Sequence, residues 1–198
     1  TNITSHNDKV RNIKTWKCLS KSKIYQLSLP VKFDDNLQFI YDIISAYDNY
    51  IEKKAALIHR RVEFYKQISY TLLNDNDTFD TYMNLHSCDI VQIQEETGLS
   101  YAILKRIFMH RYNDGLVYSF IWVDWLRKYS ILDPILQCPV YEKQTAKNTR
   151  WHRVYPISLI DNLSKVHFVH YCHSTCTSTS HNSSNNQYIR NKFYYEAI

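Results

Sequence analysis

Apolar positions in the first half of the chain repeat every seven residues. The six repeating positions are Leu37, Ile44, Ile51, Ile58, Tyr65 and Leu72. A seven-residue apolar repeat is typical of a coiled-coil seam or of one long helix packed on partners. The pattern therefore predicts a helix over about residues 35–73, with these six side chains forming a homodimer interface. A helical hairpin broken near Asp48 and Asn49 fits the same pattern.

Polar residues divide the chain after this region. Asn and Asp alternate at positions 74–77, where their side chains compete for backbone hydrogen bonds and end a helix. Two shorter helices are then expected, one over Thr78–His86 and one over Asp89–Thr97. The second of them leads into the most informative segment of the sequence.

The segment from Asp89 to Phe108 indicates a helix, a tight turn and a second helix. Gly98 lies where the first helix must end in a left-handed residue, Leu99 follows in the turn, and Ser100 can cap the second helix. The outer face of the second helix combines a small residue, an aromatic hydrogen-bonding residue and cations, which a helix in the DNA major groove requires. These candidate DNA contacts are Ser100, Tyr101, Ala102, Lys105 and Arg106.

The exit from this second helix carries the other glycine of the chain, Gly115, in the sequence Gly-Leu-Val. Together with Gly-Leu-Ser at 98–100, it resembles the core of the winged helix-turn-helix superfamily over about residues 88–117. The resemblance implies a DNA recognition helix followed by a β-wing. Arg111 departs from the pattern, because the family usually has a core Leu at this position.

Two stretches could supply the wing. Leu116–Val123 could pair with Arg127–Leu132, or a hairpin could run from Val140 to Tyr155. The second hairpin has a basic tip that suits contacts with DNA phosphates. Its candidate DNA contacts are Lys143, Lys147 and Arg150.

The predicted fold class is mainly α (α+β). A long N-terminal helix or helical hairpin precedes a winged helix-turn-helix with a small β-hairpin. This prediction divides the chain into four segments: a basic arm at 1–33, a helical dimerisation region at 34–75, a winged helix-turn-helix domain at 76–158, and a flexible polar tail with a short terminal helix at 159–198.

The distribution of charge and the low glycine content limit the classes of function that the chain can have. The 198 residues carry a net charge of +5, but the sequence over 1–33 has seven basic residues and one acidic residue, and 100–155 has nine basic and four acidic residues. Between them, 76–99 has five acidic residues and no basic residue. Two basic segments favour a polyanionic partner. Only two glycines argue against phosphate loops, dinucleotide fingerprints and nucleophile elbows. We therefore expect a binding protein without catalytic residues.

The apolar runs and the cysteines indicate the cellular location of the chain and whether it binds a membrane or a metal ion. The longest apolar run has eight residues, where a membrane helix needs roughly twenty, so no membrane partner is expected. Five scattered cysteines suggest reduced thiols and a cytoplasmic location, or a nuclear one in a eukaryote. A structural zinc ion has weak candidate ligands whose spacing fits no zinc finger, so no cofactor is expected. They are His170, Cys172, His173 and Cys176.

The sequence thus predicts a homodimeric, sequence-specific double-stranded DNA-binding protein, a regulator or replication initiator of a mobile element. One alternative is a helical scaffold protein that binds no nucleic acid. A second alternative is a metal-dependent nuclease or mobilisation protein. The pair His167 and His170 disfavours the nuclease, because two intervening residues place the imidazoles on opposite faces of a strand.

Overall fold

A computed structural model describes most of the chain. The described residues are 10–23, 36–51, 53, 61–73, 80–95, 98–112, 114–145, 151–161, 166–171 and 186–191. Over these residues the chain is mainly β. The described strands are β1 (Val10–Lys23), β2 (Arg61–Leu73), β3 (Asp80–His86), β4 (Ile90–Glu95), β5 (Gly98–Arg111), β6 (Val117–Leu132), β7 (Pro139–Gln144), β8 (Val154–Pro156), β9 (Ile160–Asp161), β10 (Phe168–His170) and β11 (Gln187–Arg190).

Helical structure in the described residues is short. Helix α1 (Asn36–Ala46) continues into a π-helical turn at Tyr47–Ile51. A single 3₁₀ turn at Ile157–Leu159 joins β8 to β9. No described helix has the length and apolar content needed to cross a membrane.

The strands form one antiparallel sheet in the order β1-β2-β5-β6-β7-β11-β10. Three further pairings extend it: β3 with β2, β4 with β5, and β8 with β6. Strand β9 follows β8 after the 3₁₀ turn and pairs with β4. The pairings from β4 through β5 and β6 to β8 therefore lead back to β4 through β9. We call these five strands the returning strands. Strands from all four segments defined in the sequence pair within this sheet.

Strand β2 shows why these residues adopt extended structure. Its apolar positions alternate, and Val62, Phe64, Ile68 and Tyr70 are fully buried. Such alternation is typical of a strand, and the two pairs pack in different cores, Val62 and Phe64 with α1 and the other two with β4, β5 and β6. Strand β6 is rich in aromatic and β-branched residues, which favour extended backbone in sheets.

Two apolar cores lie on opposite faces of the curved sheet. The main core lies inside the returning strands and includes Ile93, Leu104, Ile121, Val123 and Tyr155. The helix-covered core lies beneath α1 and the π-helical turn. Its members include Phe39, Ile43, Tyr47, Phe64, Phe108, Phe120 and Trp122. Helix α1 is thus held by ring packing, as in the edge-on contact of Phe39 with Phe108 at 5.3 Å between centroids.

Both glycines adopt positive φ, as their role in turns requires. Gly98 has φ +125° at the start of β5, and Gly115 has φ +83° in the connection between β5 and β6. The positive φ expected at Gly98 is present, but the residue opens a strand instead of ending a helix. Only glycine adopts such angles without steric strain.

The predicted mainly α fold class is wrong, because the described residues form an antiparallel sheet with one short α-helix. The helix-turn-helix is also wrong: residues 90–95 and 98–111 are β4 and β5, which pair as a hairpin. Strand pairing also replaces the helices expected at Thr78–His86 and Asp89–Thr97, because Asp80–His86 is β3, paired with β2, and Ile90–Glu95 is β4, paired with β5. Cross-strand hydrogen bonds between distant segments have overridden local helical spacing here.

The coiled coil is wrong as well. The predicted seam is divided among different elements, so its residues cannot form one helix face. Leu37 and Ile44 lie in α1, Ile51 lies in the π-helical turn, Tyr65 and Leu72 lie in β2, and Ile58 lies outside the described residues. Ile51 is buried within the chain itself, in the helix-covered core.

The predicted wing and the terminal helix are also replaced. Strands β7 and β8, expected to pair as a wing hairpin, each pair with β6. Residues 187–190, expected to begin a terminal helix, form β11 between β7 and β10. Residues 192–198 lie outside the described residues.

Candidate binding cleft

A cleft of about 810 Å³ opens where one end of β4, β5 and β6 meets the segment before β8. Its volume lies in the range typical of small-molecule and side-chain pockets. Six of its side chains are aromatic and one is a carboxylate. The lining residues are Tyr50, Glu95, Leu99, Ser100, Tyr101, Trp125, Leu126, Arg127, Lys128, Tyr141, Trp151, His152 and Tyr155.

Three rings form the inner wall of the cleft, and we call them the inner rings: Tyr50, Trp125 and Tyr155. The Tyr155 ring lies 5.4 Å from that of Tyr50 and 5.4 Å from that of Trp125, between centroids. Trp125 and Tyr155 are nearly perpendicular, at 85°. Tyr50 and Tyr155 are tilted at 41°, so neither ring pair forms the parallel slot that a planar base needs for stacking.

Glu95 places negative charge beside the inner rings. It is the last residue of β4, and its Oε1 accepts a hydrogen bond from the Tyr155 hydroxyl at 3.2 Å. Burial, with the neighbouring Tyr50 and Glu95, raises the pKa of Tyr155 well above its ordinary value. The phenol therefore stays protonated and keeps donating to the carboxylate. A carboxylate and ring faces together attract a cation.

Two rings at the mouth of the cleft, those of Trp151 and Tyr101, are each already in contact with an arginine side chain of the chain itself. The Arg127 guanidinium lies 5.7 Å from the ring centroid of Trp151, and that of Arg190 lies 5.2 Å from the ring centroid of Tyr101. Arg190 Nη1 also donates to the Tyr101 hydroxyl at 2.6 Å. These contacts show that ring faces at the mouth of the cleft accept cations.

One wall of the cleft is tied to α1 through His152. The Nε2 atom of its ring lies 2.7 Å from Ser45 Oγ, and its Nδ1 lies 3.3 Å from the buried Asp42 Oδ1. Hydrogen bonding to Asp42 raises the pKa of His152 against the opposing effect of burial. The His152 carbonyl accepts a hydrogen bond from Trp125 Nε1 at 2.6 Å. We call this set of contacts the histidine latch, since it connects α1, the Trp151 segment and an inner ring.

The order Asp42, His152, Ser45 matches the connectivity of a serine hydrolase triad, but the position of Ser45 opposes that chemistry. Ser45 lies in the last turn of α1, where the carbonyl end of the helix destabilises a developing negative charge. Its Oγ also accepts a hydrogen bond from Asn49 Nδ2 at 2.9 Å. The arrangement therefore supports a structural link, with no activated nucleophile.

A second polar cluster lies next to the cleft, on the middle of β6. Asp124 is fully buried, and its Oδ1 accepts a hydrogen bond from Arg153 Nη1 at 2.7 Å. Its Oδ2 lies 3.4 Å from Lys105 Nζ and 3.6 Å from Lys143 Nζ. We call these four residues the lysine cluster. Burial lowers the pKa of Arg153, and the Asp124 carboxylate opposes this by raising it.

The structure separates the residues predicted to contact DNA. Ser100 and Tyr101 line the cleft and Ala102 is buried in the main core. Lys105 and Lys143 meet in the lysine cluster, and Arg106 Nη1 donates to the Lys105 carbonyl at 2.6 Å. Lys147 and Arg150 lie outside the described residues.

The weak zinc candidates are not brought together in the described residues. His170 lies in β10, while Cys172, His173 and Cys176 lie outside those residues. Across the part of the chain that the structure describes, no group of three or more His, Cys, Asp or Glu side chains could hold a metal ion.

Sequence reasoning missed the cleft, although some of its signals are local. Trp125-Leu-Arg127 and Trp151-His-Arg153 place aromatic and basic residues close together in the sequence. Strand pairing brings these residues next to Tyr50 and Glu95. This proximity could not be predicted from short stretches of the sequence. No family model, curated protein or solved structure matches the chain.

Proposed function

We propose that this chain is a binding module whose cleft holds an alkylated ammonium group, such as a methylated lysine side chain of a partner protein. The carrying observation is the set of inner rings, with Trp125 and Tyr155 at 85°, beside the Glu95 carboxylate. Aromatic cages of this kind recognise quaternary ammonium groups by cation–π attraction, and methylation lowers the cost of removing the cation from water.

The charges of the cleft support an ordered pose. Glu95 lies beside the inner rings, whereas Arg127 and Lys128 follow Trp125 on β6 and line the cleft with positive charge. A cation is favoured next to Glu95 and disfavoured next to Arg127 and Lys128. The ammonium group therefore enters towards the inner rings, and the rest of the partner passes over the basic side.

Double-stranded DNA binding stays a prediction from the sequence, and no finding tests it. The recognition helix that motivated it is replaced by β5. The inner rings, at 41° and 85° to one another, also offer no parallel slot for a stacked base. We therefore favour ammonium recognition.

The deciding experiment compares the binding of a cationic ligand with that of its neutral isostere, which has the same shape and no charge. Calorimetry would measure binding of an acetylated, amidated trimethyllysine and of the analogue in which a carbon atom replaces the charged nitrogen. We expect the neutral analogue to bind about 5- to 30-fold more weakly, because a desolvated cation–π contact contributes about 1–2 kcal/mol. Equal affinities would rule out ammonium recognition.

Variants locate the site within the chain. Glu95→Gln removes the charge yet can still accept the Tyr155 hydrogen bond, and Tyr50→Leu removes an inner ring. Both should weaken trimethyllysine binding. The matched control is Asp48→Asn, which removes one exposed negative charge outside the cleft and should leave the affinity unchanged.

A further inference from the structure

The lysine cluster draws charged residues from three neighbouring strands. Asp124 on β6 pairs in register with Ile103 on β5, two residues before Lys105. Lys143 on β7 pairs with Leu126, two residues after Asp124 on β6. Lys105 lies at a register shift in the pairing of β5 with β6, and both ammonium groups approach the same carboxylate, Lys105 from β5 and Lys143 from β7.

Positive charge exceeds negative charge in this cluster. Arg153 and Asp124 are both about 1% exposed and form a close ion pair at 2.7 Å. Asp124 therefore compensates one cation. Asp42 also acts on Arg153, but its carboxylate is held by His152 and Gln38, so two ammonium groups remain. These ammonium groups form ion pairs with Asp124 Oδ2 at 3.4 and 3.6 Å, and this buried oxygen has no hydrogen-bond partner among the described residues.

The two ammonium groups are accessible and partly preorganised. The Lys105 and Lys143 side chains are 30% and 27% exposed. The Lys105 Nζ also lies 4.6 Å from the ring centroid of Trp122, which limits the positions it can take. Two cations held close together in a partly desolvated place repel one another, and an anion between them relieves that repulsion.

We propose that Lys105 and Lys143 form a binding site for a dianionic phosphate monoester group. Lysine ammonium groups bind phosphate as point charges. A phosphate monoester carries about −1.5 to −2 charges at neutral pH and matches the two excess cations. A phosphodiester carries a single charge and would leave one ammonium group uncompensated. This site stands apart from ammonium recognition in the cleft.

Free phosphate and a phosphorylated side chain of another protein share this chemistry. Separate titrations with inorganic phosphate and with an acetylated, amidated phosphoserine distinguish the two sources. Dimethyl phosphate serves as the phosphodiester probe. We expect inorganic phosphate, the phosphoserine or both to bind, and dimethyl phosphate to bind more weakly at equal ionic strength.

The readouts are calorimetry and the thermal unfolding midpoint, with sodium chloride holding the ionic strength constant. A ligand that binds only the folded chain raises that midpoint by mass action. Lys105→Met and Lys143→Met keep most of the aliphatic stem and should each weaken phosphate binding by about tenfold or more. The control, Lys66→Met, removes an exposed charge on β2 and should bind phosphate like the unmodified chain.

Two results would overturn the site. One is phosphate affinity in Lys105→Met and Lys143→Met equal to that of Lys66→Met. The other is a midpoint that rises no more in phosphate than in chloride for the unmodified chain. Because the second comparison uses the unmodified chain, it decides the matter even where a variant folds poorly.

Discussion

At the scale of single residues, Arg153 and Asp124 form an ion pair between two buried side chains. Arg153 is 1% exposed, and its Nη2 also donates to the Gln144 carbonyl at 3.4 Å. Taking two ions out of water is expensive, and their mutual attraction compensates only while both are present. Removing one partner therefore leaves a buried charge without its strongest contact.

Arg153→Met should lower the free energy of unfolding by about 3–5 kcal/mol, because Asp124 stays buried without its guanidinium partner. Urea denaturation measures the loss. The control is Lys66→Met, which removes an exposed charge on β2 and should leave the free energy of unfolding within about 0.5 kcal/mol of that of the unmodified chain. Adding Asp124→Leu to Arg153→Met should recover part of the loss. Equal stability of the two single variants would contradict this role.

At the scale of elements, α1 is attached to the sheet by ring packing and by the histidine latch. Gln38 Nε2 donates to Asp42 Oδ1 at 2.8 Å, so the acid that holds His152 is itself held within the helix. Protonated His152 can donate from both ring nitrogens, to Asp42 and to Ser45. Neutral His152 keeps a single ring proton and can donate to only one of them.

The latch should make stability depend on pH. The pKa of His152 is raised above 6.5 in the folded chain. Its contribution is complete below 6.5, the ordinary value of the unfolded chain, and is lost as pH rises through the folded pKa. We therefore expect the urea midpoint to fall as pH rises above 6.5 and through the raised pKa of His152 in the folded chain.

Substitutions and a direct titration check this expectation. His152→Gln should flatten the decrease, and Asp42→Asn should remove the cause of the raised pKa. His86→Gln, a change on β3 outside the latch, should retain the decrease. A His152 imidazole that titrates by NMR at or below 6.5 would refute the assignment.

At the scale of the whole molecule, the sheet joins segments that are distant in the sequence. Strand β2 pairs with β5, β4 with β9, and β7 with β11. Closing such long loops costs entropy before the pairings stabilise the chain. The topology therefore predicts slow folding compared with a helical bundle of the same length.

Refolding from urea, followed by tryptophan fluorescence, should take on the order of milliseconds to seconds, the range of domains dominated by non-local strand pairing. A far-ultraviolet circular dichroism spectrum should show predominantly β structure. Sub-millisecond refolding with a helical spectrum would contradict the topology.

Part of the fold was readable from local patterns. The alternation of Val62, Phe64, Ile68 and Tyr70 is a strand signal, and the seven-residue repeat overlaps it. Seven is an odd number, so Tyr65 and Leu72 fall on opposite faces of β2 and cannot form one seam. Local spacing was compatible with both structures, and pairing with β1, β3 and β5 stabilises the strand.

The candidate sites show the same division. The sequence placed Lys105 and Lys143 among the residues predicted to contact DNA, but it could not place both beside Asp124. Likewise, it showed many aromatic residues without showing that Tyr50, Trp125 and Tyr155 meet. Such neighbours lie tens of residues apart, and only strand register brings them together.

The sequence by itself determined the amount of apolar and aromatic material, the uneven distribution of charge, and two positions where positive φ is needed. Tertiary structure alone decided that the chain is a sheet, which carboxylates face which cations, and which rings share a cleft. The physical reason is that composition and backbone freedom belong to each residue. Register, burial and electrostatic partners belong to pairs of segments, and their energies exceed local preference.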